Sequence, residues 1–443
     1  MWTRSSLPVL TTTIVLLVVL GGLVGYIYFV DSRNETPDPN AKAKAFELTA
    51  DNIEELQFKS PDGETARVQR TGDNWQLLEP VKADADNGVV GTVTSNLSTL
   101  EVQRVVEESP ADLAQYGLGA PRIDVGFRLR GQKDFQRLLV GDKTATGGDL
   151  YAKRGDENRV ILISSFLDSI FTKTPFDLRD KAILKFERDK ADGVEILKGA
   201  ASTQFARTGS DWRIAKPATA RADYAAAEGL LTRLSSTHML KVVSETGDNL
   251  QMYGLDRPSM SASVMSGSSR ATLLLGRASD DGGFYAKDAS RPVVFTVEQA
   301  LATDLGKEMA EFRRKDVFDA RSFSANRLEL RRGSDTMTFE KQEADGKTTW
   351  RNAAGQNVDT AKVEDVLTKL SNLRADSFQP TAPPSLNMPV AAVTVRFDES
   401  KTESVAFGRS GNEVFAARND EPGAAKVDAT VFDEALKAVD GLK

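Results

Sequence analysis

Cysteine is absent from the 443 residues, and histidine occurs once, at His238. The first absence excludes disulfides, thiolate metal sites and cysteine nucleophiles. The second removes most triads and imidazole metal sites, because a lone histidine has no partner of its kind. Basic excess is missing too: the net charge is −7. A nucleic-acid partner calls for a basic face, so none is expected. No glycine-rich stretch has the form of a P-loop or a dinucleotide fingerprint. Acidic pairs such as Asp280 and Asp281 lack the alternating oxygen ligands of a calcium loop. The sequence therefore implies no cofactor, no metal and no catalytic residue, and it reads as a protein that is not an enzyme.

Long apolar runs are scarce, with one exception. Residues 9–30, VLTTTIVLLVVLGGLVGYIYFV, hold no charge in 22 positions. As a helix the run would span about 33 Å, the thickness of a bilayer core. Tyr26, Tyr28 and Phe29 fall where an interfacial aromatic belt would lie. Arg4 precedes the run and no positive excess follows it, which places residues 1–8 in the cytoplasm. Ala-x-Ala patterns lie more than ten residues past its end, so an anchor is favoured over a cleaved signal. The expectation is a single-pass membrane protein with a polar tether at 31–45 and the bulk of the chain outside the cytoplasm.

What the rest of the chain has in abundance is repetition. Tyr116 and Tyr253 open the segments YGLGAP and YGLDRP, 137 residues apart. Trp75 and Trp212, Pro80 and Pro217, Asp86 and Asp223, and Pro121 and Pro258 keep the same spacing. LLVGDKTATGGDLYAKRG (138–155) matches LLLGRASDDGGFYAKDA (273–289). A diverged third copy has Trp350, the helix-like VDTAKVEDVLTKLSNL (358–373) and VAFGRSGNEVFAAR (405–418). The copies run over 46–183, 184–320 and 321–443. Each exceeds a solenoid repeat in length, so they read as tandem domains.

Each copy follows one plan. Residues 53–58 and 64–70, with a Pro-Asp-Gly turn between them, read as a hairpin. After the tryptophan strand comes an amphipathic helix. Its apolar stripe is Val90, Val93, Leu97 and Leu100 in copy one, and Ala227, Leu230, Leu231 and Leu234 in copy two. In copy three it is Val363, Val366, Leu367, Leu370 and Leu373. Spacings of three, four and seven bury one helix face. In residues 122–131, Ile123, Val125, Phe127 and Leu129 alternate with Arg122, Asp124, Arg128 and Arg130, a half-buried antiparallel strand. The fold class expected is α+β: a transmembrane helix, then three homologous domains with antiparallel sheets and helices on one face.

The YGL segments read as a short helix with its start and stop written in. Ser109 or Thr246 is placed to cap it. Gly117 or Gly254 is placed to end it in a left-handed residue, with Leu113 meeting Leu118 and Leu250 meeting Leu255. Pro121 or Pro258 then hands the chain to a strand. In copy three the glycine is lost, and APPSLNMP (382–389) is expected to form no such helix.

The set W-x-x-x-x-P, amphipathic helix, Y-G-L-x-x-P and glycine-marked hairpin ending in Tyr-Ala resembles the domain-of-unknown-function family 4340. That resemblance, to a bacterial family, implies one inner-membrane helix followed by tandem domains in the periplasm, near gliding-motility-type ABC transporters. It implies as partners the transporter permease and an auxiliary extracytoplasmic subunit, and it carries no catalytic residue. The function expected is thus a membrane-anchored extracytoplasmic accessory or scaffold subunit of an envelope ABC transporter assembly. The alternative is an extracytoplasmic binding module for a cell-wall glycan or lipid. At residue level, Arg179 matches Arg313 and Lys181 matches Lys315 at the copy boundaries. These four are candidates for locking domains together or meeting an anionic partner.

Overall fold

In the computed structural model, residues 42–59, 63–344, 347–398 and 400–442 are described, with Tyr26 alone before them. The chain divides into two compact units, residues 1–180 and 181–443. Copy one fills the first unit; copies two and three share the second.

In copy one β1 (Ile53–Lys59), β2 (Thr65–Thr71), β3 (Asn74–Glu79) and β4 (Ala83–Asp84) form a meander. Helix α1 (Asn87–Ser98) follows, then β5 (Arg104–Glu107). A second meander runs through β6 (Ile123–Leu129), β7 (Gln136–Lys143), β8 (Asp149–Arg154) and β9 (Val160–Ser164). Short helices α2 (Leu167–Phe171) and α3 (Pro175–Leu178) close the copy. The meanders join through the β1–β6 pair into one nine-stranded sheet, in the order β4-β3-β2-β1-β6-β7-β8-β9-β5. Every pairing is antiparallel. Copies two and three repeat that order strand for strand.

Alternation decides which face is dry. Ile123, Val125 and Phe127 are buried and Leu129 packs against the same core. On the other face Asp124 pairs with Arg137, and Arg128 with Glu55. A register shift between Ile53 and Glu55 lets both Ile53 and Leu56 reach the core. Such a bulge inserts one residue and re-aims its neighbours.

The glycine, threonine, serine and asparagine of α1 are poor helix formers, so packing and capping sustain it. Asp86 caps it by accepting from Gly88 and Val89 N–H at 2.9 and 3.0 Å. Val90, Val93 and Leu97 are fully buried against the sheet. Copy two repeats this in α4 (Tyr224–Ser236), capped by Asp223 and burying all four expected residues. Its closing helices are α5 (Gln299–Leu305) and α6 (Met309–Phe312). In copy three α7 (Thr360–Ser371) takes the central place, and the closing helix α8 (Ala429–Asp440) runs on unbroken. Where copies one and two have two short helices, copy three has one. Phe432, Ala435 and Val439 then face the core.

The expected membrane helix is corrected. Among the described residues no helix is long and apolar enough to cross a membrane. Residues 9–30 lie outside the described residues, apart from Tyr26. Among the described residues the fold is three antiparallel-sheet domains with no such helix, and the single-pass inner-membrane placement is withdrawn. Apolar length, flanking aromatics and the charge balance carried that reading; no described helix supplies the span it needs.

Candidate functional site

The YGL segments are turns, shorter than expected. Residues Ala114–Tyr116 form a single 3-10 turn, ended by Gly117 at φ 69°. Leu118 N–H donates to Leu113 carbonyl at 3.0 Å, closing the Schellman stop. Copy two has the same stop: Leu250–Tyr253, Gly254 at φ 68°, and Leu255 N–H on Leu250 carbonyl at 2.9 Å. Only the start differs from expectation. Neither Ser109 nor Thr246 caps; the Asp112 carboxylate accepts Ala114 N–H at 2.8 Å, and Thr246 donates to Asp248. An aspartate two residues ahead makes the nearer Asx turn, so no longer helix forms. Pro121 and Pro258 stand just before the strands that begin at Ile123 and Met260.

The turn docks on a glycine in the next hairpin. A Cβ at Gly141 on β7 would fall on the Tyr116 carbonyl oxygen, and one at Gly276 on that of Tyr253. Beside each docking point two tyrosine rings meet: Tyr116 with Tyr151 at 5.0 Å, Tyr253 with Tyr285 at 5.1 Å. Copy three keeps the turn and its docking, which corrects the expectation that no such helix would form, but without the left-handed stop: Met388 follows at φ −132°. Pro384–Asn387 forms a 3-10 turn, and a Cβ at Gly408 would come within 2.7 Å of Ser385. Proline supplies the turn's φ there, so the YGL glycine is dispensable while the receiving glycine is not.

Tyr116 differs from Tyr253 in one respect. Its hydroxyl donates to Glu107 at 2.8 Å, and that bond, with a smaller contribution from burial, raises the phenol above its ordinary value. In an alkaline absorbance titration of the tyrosinates, one transition should lie above the usual tyrosine range and return to it in Glu107→Gln. An unchanged titration in that variant would refute the assignment.

The boundary residues have their own geometry. Copies one and two each close with a segment bridged to the start of their own central helix: Ala85 to Arg179, and Ala222 to Arg313. Leu178 carbonyl accepts Asp86 N–H, and Phe312 carbonyl accepts Asp223 N–H, both at 2.8 Å. Arg179 is buried there in copy one. Lys181, half-buried, already belongs to copy two: its carbonyl accepts Met239 N–H at 2.8 Å. Lys315 is exposed and belongs to copy three, its carbonyl accepting Ala375 N–H at 2.7 Å. No residue is left over as a linker between Arg314, which bonds Arg221 of copy two, and Lys315. His238 is exposed and makes a backbone bridge to Ala182.

Within the second unit Arg313 meets a carboxylate from copy three. Glu421, whose side chain is 5% exposed, accepts from Arg313 Nη2 at 2.5 Å and from Arg221 Nε at 2.6 Å. Arg221 also donates to Asp319 and to the Asp316 carbonyl, both at 2.8 Å. The Arg313 guanidinium lies 3.9 Å above the Phe378 ring. Behind these, Arg418 binds Glu403 at 2.7 Å and the Val317 carbonyl at 2.9 Å. Glu403 in turn accepts Asp319 and Ala320 N–H. Burial alone would push the Glu421 carboxyl up, but Arg221 and Arg313 outweigh it and hold it below the usual carboxylate range. Sequence reasoning missed Arg221, Glu403, Arg418 and Glu421. The signal was Arg-x-Asp-Glu, present at both 154–157 and 418–421.

Beside this lock a cleft of about 720 Å³ separates copies two and three. Tyr224, 54% exposed, stands in it with Arg213, Lys315, Arg374 and Lys401. Trp75, Trp212 and Trp350 are all buried in their own copies, so they serve packing. Among the described residues no group of three or more carboxylates and histidines is placed to hold a metal.

Three tandem modules, each a nine-stranded antiparallel sheet with helices on one face, define the class. The family described as Domain of unknown function (DUF4340) matches residues 75–236 and again 212–389, and the chain belongs to it. Each matched stretch opens on a core tryptophan and runs across a boundary into the following copy. No curated protein matches the chain. Among solved structures it is similar to the DNA polymerase sliding clamp from Pseudomonas aeruginosa: 8% identity, 86% of this chain, 92% of that chain, TM-score 0.16. A putative DNA polymerase III beta subunit from Eubacterium rectale gives 6%, 88%, 93% and 0.18. Scores this low carry no argument about fold or function.

Proposed function

We propose that this protein is a non-catalytic accessory or scaffold subunit of an ABC transporter assembly of the gliding-motility type. The observation that carries the reading is the use of buried charge. Arg221, Arg313 and Glu421 are used to fasten one copy to the next, which suits a chain whose work is to hold a fixed surface. The residues that recur between copies serve caps, turns and cores. A tagged full-length chain should co-purify in mild detergent with the permease and auxiliary subunit encoded beside it. Failure with every permease encoded nearby would sink the proposal. A second reading, a glycan- or lipid-binding module, draws on the cleft beside Tyr224, whose exposed ring could stack on a sugar.

A further inference from the structure

The lock on copy two is made by a finger that copy three extends from the hairpin between Glu413–Arg418 and Ala424–Val427. At its base Arg418 grips Asp420 through Nε and Nη2, at 2.9 and 3.3 Å, and binds the Val317 carbonyl at the copy's opening. At its tip stands Glu421, buried against the Arg221–Arg313 pair.

Copy one builds the same finger between β8 and β9. Arg154 grips Asp156 through Nε and Nη2, at 3.2 and 3.0 Å. Arg154 also binds the Ala45 carbonyl at that copy's opening, at 3.4 Å. Glu157 occupies the tip, three residues beyond the arginine as Glu421 is. Copy two does not share the motif: Asp288 stands at the base and Arg291 at the tip. The difference between the two acidic fingers is their surroundings. Glu421 is 5% exposed, whereas Glu157 is 32% exposed, with Arg154 and Arg159 of its own copy as its ion-pair partners among the described residues. Those pairs are 3.4 and 3.2 Å long and half-exposed, so they hold the tip weakly and can be exchanged.

We propose that the copy-one finger, Arg154 to Glu157, docks on a second protein that presents two arginines as Arg221 and Arg313 do. The partner inserts a guanidinium pair over Glu157, which becomes buried as Glu421 is. A second copy of this chain is a poor occupant: its copy-two pair is already filled by Glu421, and at the place of Arg221 copy three carries Asn357. The inference rests on the scaffold reading and names the chemistry of one of its contacts.

The test is a photoreactive amino acid at Asn158, exposed beside the tip, in the full chain in its native cells. The expected adduct is with another polypeptide, at a segment bearing arginine. It should fall at least about tenfold in Glu157→Arg and recover when the partner's arginine is changed to glutamate. Glu157→Gln, which removes charge but little volume, should weaken it too, at an unchanged melting temperature. No adduct, an adduct on this chain itself, or an adduct equally strong in the Glu157 variants would overturn the proposal. If permease co-purification persists through any of those results, the finger fails and the scaffold reading stands. If co-purification fails while the charge-swapped adduct holds, the reverse is true.

Discussion

Replacing Glu421 with alanine will cost the second unit about 3–5 kcal/mol of unfolding free energy, the usual penalty for stranding a buried charge. The variant leaves Arg221 and Arg313 facing each other with side chains only 10% and 8% exposed. Arg221 retains Asp319, but Arg313 keeps no carboxylate in the lock. Urea unfolding of the full chain measures the loss, and small-angle scattering should show the second unit expanding. Glu421→Gln keeps an acceptor and the shape, so its loss should be smaller. Raising salt to about 1 M should leave the parent's stability little changed, since buried pairs are weakly screened. The pH dependence has a definite sign. The folded carboxyl lies below its unfolded value, so its contribution is fully present above the ordinary glutamate range of about 4.3. It is lost as pH falls through the lower folded value, and Glu421→Gln should flatten that acid limb. A variant as stable as the parent would show that the carboxylate does not hold the joint.

Gly276→Ala should destabilise the second unit by about 1–3 kcal/mol, through overpacking. The new methyl would land on the Tyr253 carbonyl, a backbone atom fixed by its own turn. Relief requires lifting that turn off the sheet and parting the Tyr253 and Tyr285 rings. Gly141→Ala should act likewise in copy one. Gly229→Ala is the opposite case: it lies in α4 with nothing within 4 Å of the added carbon. There alanine should stabilise by about 0.5–1 kcal/mol, the helix-propensity gain. Melting temperatures of the variants separate the two. Equal effects at 276 and 229 would mean that close approach is not what the strand glycine provides.

The apolar stripes of the central helices were legible from their helical spacing. The aspartate caps at Asp86, Asp223 and Asp359, equally short-range, were passed over. The left-handed stop at Gly117 followed from the leucines flanking it. Reading went wrong at the start of the YGL turn, where Asp112 bonds Ala114 in place of Ser109. It also went wrong in copy three, where Gly408 receives the Pro384–Asn387 turn although that turn's own sequence had changed.

By itself the sequence determined the repetition of one module, the apolar stripe of each central helix, the left-handed stops at Gly117 and Gly254, and the family. Those rest on repetition and on interactions between residues a few positions apart. Only the tertiary structure decided that β1 pairs with β6, joining two meanders into one sheet, because the partners lie some seventy residues apart. It alone decided that Arg313 faces Glu421, 108 residues onward, while Lys315 two positions later stays exposed. Sequence spacing is silent about which of two cations finds a carboxylate. Packing of one copy on the next settles it, since a charge taken out of water must be paired there.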